Sequence, residues 1–297
     1  MKTFTLTASD GPLPRWEAGA HIDLVLDDGM VRQYSLCGDP DDSGAWRIAV
    51  LREDEGRGGS RFLHERVGVG SRIPVRGPRN HFPLVRADGY RFVAGGIGIT
   101  PLLPMIRAAE KSGAEWTLVY GGRTRAGMAF TRELERYGDR VELVPQDERG
   151  LIDLDAVLAD PVPGHRVYCC GPAPLLSAVE ERCRAWPVGS LHAERFAPVA
   201  PVGGDERGPA EFDVVFARSG RSVTVPRGRS ILEAARSVGI EVLSSCEEGT
   251  CGSCETAVLE GEADHRDVVL TDEERQAGEV MMICVSRSHG PVLRLDL

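Results

Sequence analysis

Lysine is nearly missing from this chain: of 35 basic residues only Lys2 and Lys111 are lysines, and the rest are arginines. Acids outnumber bases by 45 to 35, a net charge of −10. The basic excess that phosphate-backbone binding needs is therefore lacking, which excludes nucleic acid as a partner. Also absent is any apolar run near the roughly 20 residues that span a bilayer, so no membrane-crossing helix is expected. Residues 1–10 carry one lysine, an early acid and no continuous apolar stretch. No secretory signal is read there, and the cytoplasm is the expected compartment. Internal repeats and low-complexity tracts are missing too. What is present is ordinary for a globular protein: 297 residues, 42% hydrophobic and 27% charged, enough for two domains or three small ones.

Eight cysteines stand at 37, 169, 170, 183, 246, 251, 254 and 284. Without an export signal, a reducing compartment opposes disulfides. Four follow a rule: Cys246, Cys251, Cys254 and, after a long gap, Cys284, the C-x4-C-x2-C…C spacing of plant-type [2Fe–2S] ferredoxins. Three thiolates within nine residues must curl round a small cluster. Gly249 and Gly252 stand where the loop turns tightly and can aim backbone N–H groups at sulfur. A zinc knuckle favours two C-x2-C pairs, and only one is present. Cys37, Cys169 and Cys183 read as small buried hydrophobes.

Texture divides the chain into segments. Residues 1–87 read as short strands (4–6, 21–26, 31–36, 46–51 and 72–75) with one helix at 61–67, which predicts an antiparallel β-barrel. Residues 88–197 alternate strands at 90–94, 116–120, 140–144 and 166–169 with helices at 101–111, 128–137 and 172–186. That alternation predicts an α/β domain with a parallel sheet. Residues 198–210, rich in Pro and Gly, read as a linker. Residues 211–297 open with a hairpin (212–217 and 222–225), then a helix between the capping box Ser230-Ile231-Leu232-Glu233 and the stop Gly239. A second capping box, Thr271-Asp272-Glu273-Glu274, precedes Cys284, and the whole is a β-grasp layout. The expected class is multidomain α+β.

Three further motifs carry chemistry. Gly95-Gly96-Ile97-Gly98-Ile99-Thr100-Pro101 follows a strand, and Thr100 can cap a helix whose first residue is Pro101. A glycine turn feeding a helix N-terminus offers backbone donors to a phosphate. Pro101 stands where the full G-x-G-x-x-G has its third glycine, so this loop alone equally suits a plain strand-to-helix turn. Tyr168-Cys169-Cys170-Gly171-Pro172 makes a second such turn. Two on one sheet would flank the crevice where open α/β sheets bind ligands. In the first segment Arg32-Gln33-Tyr34-Ser35 ends a strand, and Arg57-Gly58-Gly59-Ser60 precedes a helix. Ring, hydroxyl and arginine can hold a flat heterocycle bearing a phosphate; a surface arginine and a packed tyrosine remain open on these residues alone.

Together these three motifs and the cysteine spacing closely resemble the phthalate dioxygenase reductase family, which includes vanillate demethylase reductases, over residues 3–297 and in the family's domain order. The resemblance implies an FMN barrel at 1–87, an NAD(P) domain at 88–197 and a [2Fe–2S] ferredoxin domain at 211–297, in a monomeric protein. It implies electrons drawn from NADH and delivered singly to a Rieske-type aromatic oxygenase or O-demethylase. A cytochrome P450 is the alternative acceptor, and a non-enzymatic iron–sulfur carrier or redox sensor is a third reading. Arg32 would bind the flavin phosphate, cradled by Gly58, Gly59 and Ser60, with Tyr34 against the isoalloxazine and Ser35 near its reactive edge. Gly96, Gly98 and Thr100 would lie against the dinucleotide, with Cys170, Gly171 and Pro172 near the nicotinamide. Phe196 would cover the flavin, so that Ser35, Cys170 and Phe196 surround the reacting rings. Cys246, Cys251, Cys254 and Cys284 would hold the metal cluster. Family members carry another strand's worth of residues before the position matching Thr3, which implies a shortened first barrel edge or a misassigned start.

The implied order follows from electron counts. A nicotinamide yields two electrons at once and a [2Fe–2S] cluster accepts one, so a flavin must lie between them. No acid–base triad is needed, and the seven histidines read as surface or structural. Gly121-Gly122-Arg123-Thr124-Arg125, after the second strand of the nucleotide segment, leans by itself to NADPH. The family leans to NADH, and NADH is the expectation. Residues 211–297 hold 16 acids and 9 arginines, −7 of the total charge, which predicts an acidic docking face. The terminal substrate is read by the partner.

Overall fold

β-Branched and aromatic residues set between Gly and Pro turns form the first strands. Lys2–Leu6 pairs antiparallel with Trp46–Val50, while His21–Val25 lies between Val31–Ser35 and Val75–Arg79. Cys37 N–H, donating to Arg47 O at 2.8 Å, joins the two sheets. Ile22, Leu24, Leu36, Trp46 and Ile48 fill the space between them with Leu63 of the helix Gly59–Arg66. Each such buried side chain contributes about 1.5–3 kcal/mol. The last strand starts at Val75 rather than 72. Pro74 gives its carbonyl to Val25 N–H (2.9 Å) but has no N–H of its own, so the ladder begins after it.

The next segment is a five-stranded parallel sheet in the order Leu191–Glu194, His165–Cys170, Gly89–Gly95, Glu115–Gly122, Val141–Pro145. Helix Ile99–Ser112 buries Leu102, Leu103, Met105 and Ile106 and ends at Gly113, whose φ is +74°. The helix expected at 128–137 is broken. Ala129 N–H donates to the Tyr120 hydroxyl (2.9 Å) and Arg47 lies over the Phe130 ring, and these tertiary contacts hold Phe130 at φ +59°. Only Thr131–Leu134 and 3-10 turns within Glu135–Arg140, interrupted at Gly138 (φ +56°), remain helical.

The barrel and this sheet share a core: Ala18, Cys37, Ala49 and Phe82 pack with Tyr90, Phe92 and Tyr168. The Tyr168 hydroxyl accepts from Val85 N–H (2.7 Å) and donates to Pro83 O (2.9 Å). Glu133 binds Arg47 at 2.7 and 3.0 Å and Arg107 at 3.1 Å. The expected divide at 87 therefore falls inside one compact unit, Met1–Arg195, and the second unit is Phe196–Leu297. The computed structural model describes residues 1–197 and 211–297, so the linker expected at 198–210 lies outside the described residues.

In the second unit a mixed sheet runs Arg221–Val225, Phe212–Phe216, Val292–Leu295, Glu255–Glu260, Val280–Met282, with helix Ile231–Ser237 packed on it. Both capping boxes form. Ser230 Oγ accepts from Glu233 N–H (3.1 Å), and Thr271 Oγ1 accepts from Glu274 N–H (3.2 Å), with each glutamate returning to the cap backbone. Each cap is worth about 1 kcal/mol. Among the described residues no helix is long and apolar enough to cross a membrane.

Candidate electron-transfer sites

In the ladder between Val31–Ser35 and His21–Val25, Tyr34 stands opposite Ile22 and Arg32 opposite Leu24, so strand alternation places Arg32 and Tyr34 on one face. Tyr34 packs on the barrel core, and burial pushes its phenol up to about 12, which keeps the ring neutral. Arg32 Nη2 donates to Arg57 O at 2.6 Å, which lays the arginine stem along the Gly58-Gly59 turn. Gly58 has φ +81° and caps the helix Gly59–Arg66; a Cβ on Gly59 would come 2.4 Å from Arg32 Cγ. Glycine here brings the helix's first N–H groups and a guanidinium together, the donor set a phosphate needs. Ser60 Oγ is tied to Glu53, accepting from its N–H at 3.1 Å and donating to its carbonyl at 3.3 Å. Ser60 would thus reach a phosphate through its backbone N–H. Ser35 is 7% exposed at the strand end, opposite His21.

The two Gly-rich turns leave the carboxyl ends of neighbouring parallel strands, Gly89–Gly95 and His165–Cys170. A Cβ on Gly98 would stand 2.2 Å from Cys170 O, and one on Gly171 3.0 Å from Gly95 Cα, so glycine at these positions lets the two turns touch. The cap expected of Thr100 is not made. Gly96–Gly98 forms a 3-10 turn, the helix begins at Ile99 with Gly98 as its N-cap, and Thr100 Oγ1 donates to Ile97 O (2.9 Å). Pro101 is accommodated inside the first turn, where no intrahelical N–H partner is required. Pro172 caps the helix Ala173–Cys183.

Cys170 is fully buried, and burial pushes its thiol well up. Its Sγ faces Glu194 Oε2 at 4.0 Å, across from the neighbouring edge strand. Burial raises the Glu194 carboxyl to about 8, so it can hold a proton at neutral pH beside the crevice. Glu194 lies two residues before Phe196 and carries no sequence motif of its own. The signal for Glu194 is its place in a strand of four residues, legible only once His165–Cys170 is laid beside it. Phe196 is 46% exposed and opens the second unit.

All eight cysteines are buried and unbridged. Cys246 lies in hydrogen-bonding contact with Cys251 and with Cys284, and Cys254 with Cys284. Glu248 N–H and Thr250 N–H donate to Cys246 Sγ (3.3 and 3.4 Å), and Ser253 N–H to Cys251 Sγ (3.4 Å). Positive φ at Glu247, Gly249 and Gly252 turns these donors inward. Among the described residues no three His, Cys, Asp or Glu side chains gather as they would round a single ion. The four thiols instead form a connected row, Cys251 to Cys246 to Cys284 to Cys254, and together they would hold a binuclear cluster.

Residues 214–289 match the family described as "2Fe-2S iron-sulfur cluster binding domain", and residues 92–181 match "Oxidoreductase NAD-binding domain". The chain is 48% identical, over 98% of its length and 90% of the relative, to the phenoxybenzoate dioxygenase subunit beta of Ectopseudomonas oleovorans. A solved structure of phthalate dioxygenase reductase, titled as a modular structure for electron transfer from pyridine nucleotides to [2Fe–2S], is 41% identical with a TM-score of 0.71, covering 99% of this chain and 92% of that one. An intact type IV self-sufficient cytochrome P450 monooxygenase is 46% identical with a TM-score of 0.93; the match covers 99% of this chain but 39% of that protein. The chain belongs to the phthalate dioxygenase reductase family: it is an oxidoreductase that takes electrons from a pyridine nucleotide through FMN to a [2Fe–2S] cluster, as the reductase component of an oxygenase system.

Proposed function

We propose that the chain oxidises NADH and delivers single electrons to a Rieske-type aromatic oxygenase or O-demethylase. When bound, FMN supplies the conversion from a two-electron donor to a one-electron acceptor. The protein's own residues bind and orient. Arg32 and the Gly58-Gly59 turn hold the flavin phosphate, Tyr34 lies against the ring and Ser35 at its edge. The touching turns at Gly98 and Gly171 form the nucleotide crevice, with Cys170 and Glu194 beside the nicotinamide. The observation that carries the reading is the cluster of four buried, mutually contacting thiols, two of which accept N–H groups from their own loop.

Charge and exposure support a docking role for the cluster unit. Leu243, 56% exposed, lies three residues before Cys246, and exposed Glu241, Asp272 and Glu273 add to a segment of net −7. A basic patch on the partner would be steered to such a face, and electron delivery would slow as salt rises. A second reading keeps the electron chain and changes the acceptor to a cytochrome P450; the match to the self-sufficient P450 favours it. The test is an anaerobic visible spectrum during stepwise NADH addition, followed by reconstitution with a Rieske oxygenase and with a P450. Flavin and cluster bands should both bleach. A cluster left oxidised by excess NADH would sink the reading, and delivery only to the P450 would select the second.

A further inference from the structure

The stretch after the second nucleotide-domain strand contains Arg123 and Arg125, residues suited to a coenzyme's 2′-phosphate. The structure shows Arg125 already engaged. Arg125 Nε donates to Glu148 Oε1 and Oε2 at 3.0 and 3.2 Å, and Nη2 donates to Oε2 at 2.7 Å, a forked pairing. Glu148 sits on the short helix Gln146–Arg149, which follows the neighbouring strand Val141–Pro145. Asp147 N–H, donating to Arg123 O at 3.2 Å, ties the two loops together. Both loops leave the carboxyl ends of parallel strands, the edge along which open α/β sheets bind a dinucleotide.

The pair is 53% and 44% exposed, so it contributes little to stability. Its consequence is for whatever approaches that edge. A carboxylate there repels a 2′-phosphate, and the arginine that would attract the phosphate is held by the same carboxylate. Resting on the reading that NADH is the electron donor, we propose that Glu148 sets coenzyme choice by holding Arg125 and excluding a 2′-phosphate.

The test is calorimetric titration of the holoprotein with 5′-AMP and with 2′,5′-ADP, in wild type, Glu148→Gln, Glu148→Ala and Glu148→Gln/Arg125→Ala. Wild type should favour 5′-AMP. Both single variants should gain ten-fold or more for 2′,5′-ADP with less than three-fold change for 5′-AMP, and the double variant should lose that gain. The ratio of kcat/KM for NADPH over NADH should rise with the binding gain. Wild type favouring 5′-AMP while the Glu148 variants gain nothing for 2′,5′-ADP overturns the role of Glu148 and leaves the NADH reading standing. Wild type favouring 2′,5′-ADP overturns both.

Discussion

Gly59→Ala isolates the proposed flavin phosphate site more cleanly than removal of any charged residue. Gly59 opens a helix in ordinary helical conformation, so alanine meets no backbone penalty and gains up to about 1 kcal/mol of helix propensity. Its Cβ would stand 2.4 Å from Arg32 Cγ, 2.8 Å from Nε and 3.0 Å from Cδ. Cγ is close to the fixed end of the side chain, so Arg32 has to leave its rotamer and its 2.6 Å bond to Arg57 O. The guanidinium is then misplaced while the fold is kept. A charge-assisted contact of this kind is worth roughly 1.5–3 kcal/mol, or a 10- to 150-fold weaker Kd for FMN.

The assay is quenching of flavin fluorescence as deflavinated protein is added, run in parallel with FMN and riboflavin. The loss should appear with FMN and vanish with riboflavin, which has no phosphate. Gly58→Ala is the contrast: at φ +81° it strains the backbone, yet its Cβ meets only Met30 Cε at 3.9 Å. It should lower the melting temperature and leave the FMN-to-riboflavin ratio alone. Gly59→Ala with wild-type FMN affinity, or with equal losses for both flavins, would refute the placement of Arg32 on the phosphate.

Cys284→Ser should abolish cluster absorption while NADH still bleaches the flavin bands, since the cut falls after the flavin; loss of flavin bleaching as well would show the units to be coupled otherwise. Gly98→Ala sets a Cβ 2.2 Å from Cys170 O, a backbone clash, and should destabilise the first unit by about 3 kcal/mol or more in urea melts and weaken NADH binding. Glu133→Gln should cost the first unit about 1–2 kcal/mol, discounted for partial exposure. Desolvation opposes the Glu133 carboxylate, but the Arg47 hydrogen bond and the charges of Arg47 and Arg107 prevail and hold it below the usual carboxylate range. Its contribution is therefore complete above about pH 4.3 and lost as pH falls through the lower folded value, so wild type and variant should converge in acid melts.

What was legible in the sequence was local. The capping boxes at Ser230 and Thr271 each lie within four residues and have the geometry their spacing implies. What was not legible depends on partners distant in the chain. The broken helix at Phe130 answers to Tyr120 of the preceding strand and to Arg47, far off in the barrel. The edge strand Leu191–Glu194 exists only by pairing with His165–Cys170, so Glu194 passed unnoticed. Arg125 reads as a free phosphate ligand until Glu148 arrives from another strand. Thr100 has the composition of a cap, but the 3-10 turn at Gly96–Gly98 starts the helix early and turns its hydroxyl back to Ile97.

The three proposed cofactor sites share one device, and it explains why glycines mark them better than charges do. Gly59 admits the Arg32 stem, Gly98 admits the Cys170 carbonyl, and Gly249 admits Val285 and Asp267, whose atoms a Cβ would meet at 2.6 and 3.0 Å. In each place a backbone must approach another group too closely for any side chain. Backbone N–H donors fixed this way need no reorganisation when charge arrives, unlike long side chains in water. A protein whose task is to hold redox groups through changes of charge gains more from such fixed dipoles than from mobile ions. Substituting these glycines should therefore alter cofactor binding without any change of charge.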